Sequence, residues 1–259
     1  RLLFAVQCRY MPKVSTPLLL IVDGNAILHR AYHALPPLTA PDGRVVHAVY
    51  GFFTVFFKAL ADLAPTHVAV TFDRPETTFR KKLFKEYQAQ REEKPDDLYA
   101  QIPIIKDVLA SFRVPVFEHA GVEADDVIGT IAERVATSTK KKDAARVVIV
   151  SGDKDLLQLV RDGVEVVLLR RGMTDVVRYD TAAVIERFGF SPERMIDYKA
   201  LAGDPSDNYP GVPGIGEKTA TELIKQYGDI QKILAAAQHT ISSPSSSGAR
   251  SRTDEGQKR

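Results

Sequence analysis

Arg146-Val-Val-Ile-Val-Ser-Gly-Asp-Lys-Asp155 holds four successive β-branched residues, Val147 to Val150, followed by Ser-Gly and two aspartates. So short and wholly apolar a run suits a strand buried on both faces, the kind found in parallel sheets covered by helices. Similar runs lie on either side of it: Leu18 to Val22, His67 to Phe72, Val114 to Glu118 and Val164 to Leu169. Segments of helical period separate them, at Val46 to Leu63, Asp97 to Phe112, Ala124 to Ser138 and Lys154 to Val160. The alternation predicts an α/β class with a mostly parallel central sheet flanked by helices. After Tyr179 the strands stop, and Thr181 to Phe188, Pro192 to Leu201, Glu217 to Tyr227 and Asp229 to Ala237 predict a helical subdomain.

The chain of 259 residues is 44% hydrophobic and 26% charged, which excludes whole-chain disorder, collagen and a long coiled coil. Its longest apolar run near a terminus, Leu18 to Val22, is far below the ~20 residues of a membrane span. A signal peptide is the rival reading of Arg1-Leu-Leu-Phe-Ala-Val, but the run is short and lacks a clean cleavage site. The single cysteine, Cys8, makes no internal disulfide, which predicts a cytoplasmic location. Net charge is +2, yet residues 17–240 hold 28 bases against 31 acids, so global charge does not argue for nucleic acid. Residues 1–16 are expected to be a disordered extension, residues 17–180 the core with a basic segment at about 74–94, residues 181–240 the helical part, and residues 241–259 a disordered tail.

In an open parallel sheet, ligands bind beyond the carboxyl ends of the strands. Here those ends are acidic: Asp23, Asp73, then Asp153 with Asp155, while a further strand leads to Glu123-Ala-Asp125-Asp126. Each acid alone is most simply a helix N-cap. Together they would repel one another unless a cation neutralised them, and all-oxygen ligands favour Mg²⁺ or Mn²⁺ over zinc. Asp204 and Asp207 bring the set to nine, enough for two ions of the kind that stabilise both oxygens of a phosphodiester displacement.

Two segments suit DNA. Gly211-Val-Pro-Gly-Ile-Gly216-Glu-Lys-Thr-Ala reads as a glycine hairpin between two helices at about 204–228. Its backbone N–H groups at a helix start fit a phosphate and carry no base information. From Arg80 to Arg91 the bases Arg80, Lys81, Lys82, Lys85 and Arg91 interleave with Phe84 and Tyr87, with Phe79 just ahead. That pattern fits a single strand with its phosphates on the bases and its nucleobases on the rings. The alternative is a solvated helix whose aromatics face the core.

Val22-Asp-Gly with Arg30, Phe72-Asp73, Thr78-Phe-Arg80, Glu123-Ala-Asp-Asp126, Gly152-Asp-Lys-Asp-Leu-Leu-Gln158 and Gly203-Asp-Pro-Ser-Asp-Asn-Tyr-Pro-Gly-Val-Pro-Gly-Ile-Gly-Glu-Lys-Thr-Ala220 together resemble the 5′-nuclease domain of bacterial repair DNA polymerases and its stand-alone flap-endonuclease relatives. The resemblance covers about residues 17 to 237. It implies a PIN-like 5′-nuclease core with a helix-hairpin-helix, acting as a monomer on 5′ ends, flaps and nicks of DNA and on RNA primers, in a bacterial, nucleoid-associated setting. By position, Asp23, Asp73, Glu123, Asp125 and Asp126 would serve a first Mg²⁺, and Asp153, Asp155, Asp204 and Asp207 a second, with Mn²⁺ as a substitute. Arg80, Arg91 and Lys85 would steady the phosphate. Gly211, Val212, Gly214, Gly216, Lys218 and Thr219 would grip the duplex, with K⁺ at the hairpin.

The family pattern Tyr-Lys-x-x-Arg departs here to Tyr87-Gln88-Ala-Gln-Arg91, and Lys85, one helical turn earlier, is the expected stand-in. The family also carries further helices after the hairpin, where this sequence turns serine-rich. A catalytically weakened DNA-junction binder is therefore the alternative from another class, although the full set of nine acids argues against it. A small ribonuclease with an acid-edged sheet is a third reading, disfavoured by the hairpin.

Overall fold

The computed structural model describes residues 17–91, 95–138 and 145–242, so the expected extension at 1–16 and the tail beyond 242 lie outside the described residues. Six strands, β1 (Leu18–Asp23), β2 (His67–Thr71), β3 (Val116–Phe117), β4 (Arg146–Ser151), β5 (Val164–Leu169) and β6 (Val176–Tyr179), form one sheet in the order β3-β2-β1-β4-β5-β6. All neighbours run parallel except β6, which lies antiparallel on β5. Chain order runs outward in opposite directions from the β1–β4 pair, making that pair the topological switch point where a crevice opens. Register there aligns Val22 with Val150 and Asp23 with Thr71, which puts Asp23 and the residues after Ser151 side by side at the same edge.

Alternation along the central strands builds two cores. Leu20, Val22, Val148 and Val150 face one side, where they meet Ile27 and Leu28 of α1 (Gly24–Ala34), Phe52 and Phe56 of α2 (His47–Leu63) and Ile105 and Leu109 of α5 (Gln101–Ser111). Ile21, Val147 and Ile149 face the other, against Ile128 and Ala132 of α6 (Ala124–Ala136). That second core runs on without a break through Val184 of α7 (Thr181–Phe188), Leu201 of α8 (Met195–Ala202), Ala220 and Ile224 of α9 (Glu217–Tyr227) and Ile233 of α10 (Ile230–Ser242). The helical part is thus fixed to the sheet by shared apolar burial, the dominant favourable term in folding.

Several expectations change. The helix α1 lies where none was expected: Gly24 lets it start directly against the strand, since a Cβ there would come within 2.5 Å of the Phe72 ring. The four-residue edge strand β6 and the shortening of β3 to two residues also differ from the reading of the runs. Lys154–Leu159 is a 3-10 helix rather than an α-helix, and a 3-10 turn at Pro192–Arg194 precedes α8. The helix expected at Asp97 to Phe112 is split into α4 (Asp96–Tyr99) and α5. The last helix, α10, runs five residues past the expected Ala237, to Ser242, and so takes in the first two residues of the expected tail. The basic segment holds only one helical turn and a little more, α3 (Phe79–Leu83); Phe84 is extended and residues 85–90 form turns.

Candidate metal centre

Capping and convergence, which compete as readings of the acids, coexist in the structure. Asp23 caps α1, its Oδ1 accepting from the Ala26 N–H at 3.0 Å, and Asp153 caps the 3-10 helix, its Oδ1 accepting from the Asp155 N–H at 2.8 Å. Caps hold these short side chains at the sheet edge, so the local rule that explains each acid also aims it. Asp73 is held by two donors, the Ala124 N–H and the Asn25 amide, both at 2.7 Å.

Asp125 lies among Asp23, Asp153, Asp73 and Glu123. Burial first, then repulsion from those four, pushes its carboxyl up to about 9. Burial likewise raises Asp23 to about 6, against the opposing pull of the Ala26 N–H and the Ser151 hydroxyl. Among the described residues Asp23, Asp73, Asp125 and Asp153 make no ion pair. Such a set is a place for an exogenous cation.

A second group is differently placed. Oxygens of Asp155, Asp204 and Asp207 lie within 4.8 Å of one another. Lys199 of α8 forms ion pairs with both Asp155 and Asp204, and Arg91 pairs with Asp207 at 2.8 Å. Burial raises Asp155 to about 6, helped by Asp153 and opposed by Lys199, whereas for Asp204 the pull of Lys199 and Ser206 outweighs burial and holds the carboxyl low. Gly203 and Gly211 shape the loop that carries Asp204 and Asp207: both have positive φ, and a Cβ on Gly203 would meet the Tyr209 carbonyl at 2.7 Å.

Asp126 and Glu123, at the same end of the site, already have protein partners. Asp126 makes a two-pronged ion pair with Arg80, at 2.6 and 2.8 Å, and accepts the Glu123 N–H at 3.0 Å, so its carboxyl stays low despite burial. Glu123 accepts from the Tyr87 hydroxyl at 3.0 Å, and burial outweighs Arg80 and Tyr87 to raise it.

The basic segment lies down on the acidic loop. Gln88, at φ +54, donates its backbone N–H to the Asp207 carbonyl at 3.1 Å and its amide to the Asp207 carboxylate at 3.0 Å. Phe84 and Tyr87 both pack on the Tyr209 ring, with Tyr87 buried, so the rings expected to stack on nucleobases are occupied by protein; Phe79 remains exposed. Lys85 is exposed in the turns, and the helical relation expected between Lys85 and Gln88 is absent because α3 ends at Leu83. Of the hairpin residues, Val212, Gly214, Gly216, Lys218 and Thr219 are exposed and Gly211 is half-buried. A groove of about 1370 Å³ runs from Asp153, Asp155 and Asp204 past Arg30 and His33 to Lys218, joining the acidic end to the hairpin.

Sequence reasoning passed over Lys199, Asn25 and Ser151. Lys199 had a signal, since Lys199-Ala-Leu-Ala-Gly-Asp204 puts it just over one helical turn before an acid. Asn25 in the first turn of α1 and Ser151 at the end of β4 are ordinary polar residues, and only the fold reveals their partners.

Residues 18–189 match the family described as 5′-3′ exonuclease, N-terminal resolvase-like domain, and residues 190–255 match 5′-3′ exonuclease, C-terminal SAM fold. The chain belongs to the 5′-3′ exonuclease family. The enzyme class that goes with this family is a hydrolase acting on DNA. DNA polymerase I of Bacillus caldotenax is 43% identical over 218 residues, 84% of this chain and 24% of that protein. DNA polymerase I of Bacillus subtilis (strain 168) is 45% identical over 216 residues, 83% and 24%. The chain therefore spans about a quarter of the length of these relatives. Among solved structures, the T5 5′-exonuclease with divalent zinc ions bound is 26% identical with a TM-score of 0.66, covering 85% of this chain and 79% of that one. The catalytic core of Rad2 in complex with DNA substrate, 17% identical with a TM-score of 0.57 over 89% of this chain and 69% of that one, shares the fold. Among the described residues no helix is long and apolar enough to cross a membrane.

Proposed function

We propose that this chain is a metal-dependent 5′-3′ exonuclease and 5′-flap endonuclease that hydrolyses phosphodiesters of DNA, and of RNA primers paired to it, in replication and repair. The observation that carries the reading is Asp125, half-buried among four other carboxylates at the switch point of the sheet with no base paired to it among the described residues. The donor set fits hard divalent ions, being all oxygen and mutually repulsive. Asp23, Asp73, Glu123 and Asp125, with Asp126 beside them, hold the first cation, and Asp153, Asp155, Asp204 and Asp207 the second. Two Mg²⁺ ions, or Mn²⁺ in their place, supply charge neutralisation, a lowered pKa for water and stabilisation of the phosphate oxygens.

The chain's own residues do the rest. Arg80 and Arg91, paired here with Asp126 and Asp207, stand at the acidic end of the site as the guanidinium groups that would meet a phosphate there. Lys85 offers a further charge from the exposed turns. Gly211, Val212, Gly214, Gly216, Lys218 and Thr219 hold the duplex backbone, with K⁺ at the hairpin, and the groove carries the strand from there to the carboxylates. The T5 and Rad2 neighbours, solved with divalent ions and with DNA substrate, support metal and DNA as ligands. The working form is a monomer in the bacterial cytoplasm near the nucleoid, organised as a core at 17–180 with its basic arch at about 74–94 and a helical subdomain at 181–240.

The test incubates a 5′-labelled flap duplex with the parent and Asp153→Ala, in EDTA and in Mg²⁺. Mg²⁺-dependent cleavage by the parent, lost in the variant, is expected. Equal cleavage by both would refute the assignment. Gln88 favours a second reading, a DNA-junction binder, which metal-independent binding without cleavage would establish.

A further inference from the structure

We infer that Ser151 and Asn25 are positioning residues, set behind Asp23 and Asp73 to fix those carboxylates for a cation without neutralising them. The inference rests on the nuclease reading and adds to it two residues that touch neither DNA nor the reacting atoms.

Ser151, fully buried at the end of β4, links the two strand ends of the switch point. Its Oγ accepts the Asp153 N–H at 2.9 Å, so its one proton goes to Asp23 Oδ2 at 2.6 Å. With Ala26 N–H on Oδ1, both oxygens of Asp23 are oriented. Asn25 does the same for Asp73 across the β1–β2 junction. Its Nδ2 donates to Asp73 Oδ2 at 2.7 Å while its Oδ1 accepts the Asp73 N–H at 3.0 Å, a ring that admits only one orientation of the amide. The Ala124 N–H takes Asp73 Oδ1 at 2.7 Å.

Every one of these donors is neutral. Lysine or arginine at either place would orient the acids equally well and cancel the charge a divalent ion needs, as Arg80 does at Asp126. A serine hydroxyl and an amide leave the negative charge in place and remove only the torsional freedom. Ligating carboxylates held in this way bind metal about 10- to 100-fold better than unsupported ones.

The experiment titrates Mn²⁺ into DNA-free protein by calorimetry for the parent, Ser151→Ala, Ser151→Thr and Asn25→Ala. Weakening of about tenfold or more in Ser151→Ala and Asn25→Ala is expected, with recovery in Ser151→Thr, which keeps the hydroxyl. Half-saturating Mg²⁺ for flap cleavage should rise in parallel, while the rate at saturating Mg²⁺ changes less. Cooperatively folded variants that bind Mn²⁺ within twofold of the parent would overturn the inference, even if they melt earlier, and leave the nuclease reading intact. Should Ser151→Ala fail to fold, the half-exposed Asn25 carries the test alone. A parent that neither binds Mn²⁺ nor cleaves would overturn the nuclease reading and this inference with it.

Discussion

Asp23, Asp73 and Asp153 at the strand ends, with Asp125 of α6 among them, make no ion pair among the described residues, the first three being met by backbone N–H groups, a serine and an asparagine, whereas Asp155, Asp204 and Asp207 are met by Lys199 and Arg91. The two groups share one sheet edge and one chemistry, yet one stores its repulsion and the other has it cancelled from within the chain. A divalent ion entering the first group meets unopposed charge; at the second it must displace or share with an ammonium. The first should therefore bind divalent ions more tightly, and the second should need substrate or higher metal to fill.

The largest break of this contrast is Asp125→Asn. It removes the central carboxylate of the unopposed group at nearly constant volume. Cleavage should fall on the order of 10³-fold, as expected when about 4 kcal/mol of metal-borne charge stabilisation is lost. The melting temperature in EDTA should hold or rise, because a repelled group is gone. A variant that cleaves within tenfold of the parent would end the idea that this group matters most.

Lys199→Met attacks the other side. It leaves Asp155 and Asp204 facing each other without a counter-charge. Truncating one partner of a well-buried ion pair costs about 3–5 kcal/mol, and with side chains here up to 29% exposed about 1–2 kcal/mol is expected in EDTA. Mg²⁺ should restore part of that loss. Equal stability of variant and parent in EDTA would show that the lysine is not neutralising the pair.

How much of this was legible follows the same division. The acids were readable because each ends an apolar run or opens a helix, and the strand ends of a parallel sheet are where ligands sit. The cations were less so: Lys199 carried only its spacing from Asp204, and Arg80 and Arg91 looked free for phosphate. Sequence spacing places residues on one element, whereas Arg80 with Asp126 and Arg91 with Asp207 are pairings across the fold. The turns at 85–90 were missed for a related reason. Arg80-Lys-Lys-Leu83 does form the helix α3, but Phe84 and Tyr87 pack on Tyr209 and the chain beyond Leu83 runs into turns instead of continuing the helix.

Acidity divides the carboxylates along a different and milder line, setting Asp23, Asp125 and Asp155 against Asp126 and Asp204. In the metal-free protein Asp23 and Asp155 titrate near 6 and Asp125 near 9, all above the ordinary 3.8 of an aspartate in the unfolded chain. Between about pH 4 and 9 the native state thus holds protons that the unfolded state has released, so stability falls as pH rises through that window. Asp126 and Asp204 are held low by their bases, and the stability they add is lost only as pH falls below the ordinary carboxylate value. A melting series in EDTA from pH 5 to 8.5 therefore isolates the first set. A drop of roughly 4 °C is expected, about 1–2 kcal/mol for a chain of this size, and Mg²⁺ should flatten it. A rise in melting temperature with pH in EDTA would contradict the assignment of repulsion to these carboxylates.

The smallest effect is also the one that bears on the departure at residue 88. Gln88 meets Asp207 through a neutral amide at 3.0 Å, beside Arg91 at 2.8 Å. Lysine there would make the contact charge-assisted, a gain of about 1 kcal/mol over the amide, or roughly fivefold in rate if that charge reaches the phosphate. Gln88→Lys is therefore expected to cleave a flap a few-fold faster than the parent, with unchanged Mn²⁺ affinity at the first group and a melting temperature within about 2 °C. Turnover no faster than the parent's would mean that the amide already does what the position allows, and that the second group's own bases, Lys199 and Arg91, supply the positive charge at this end of the site.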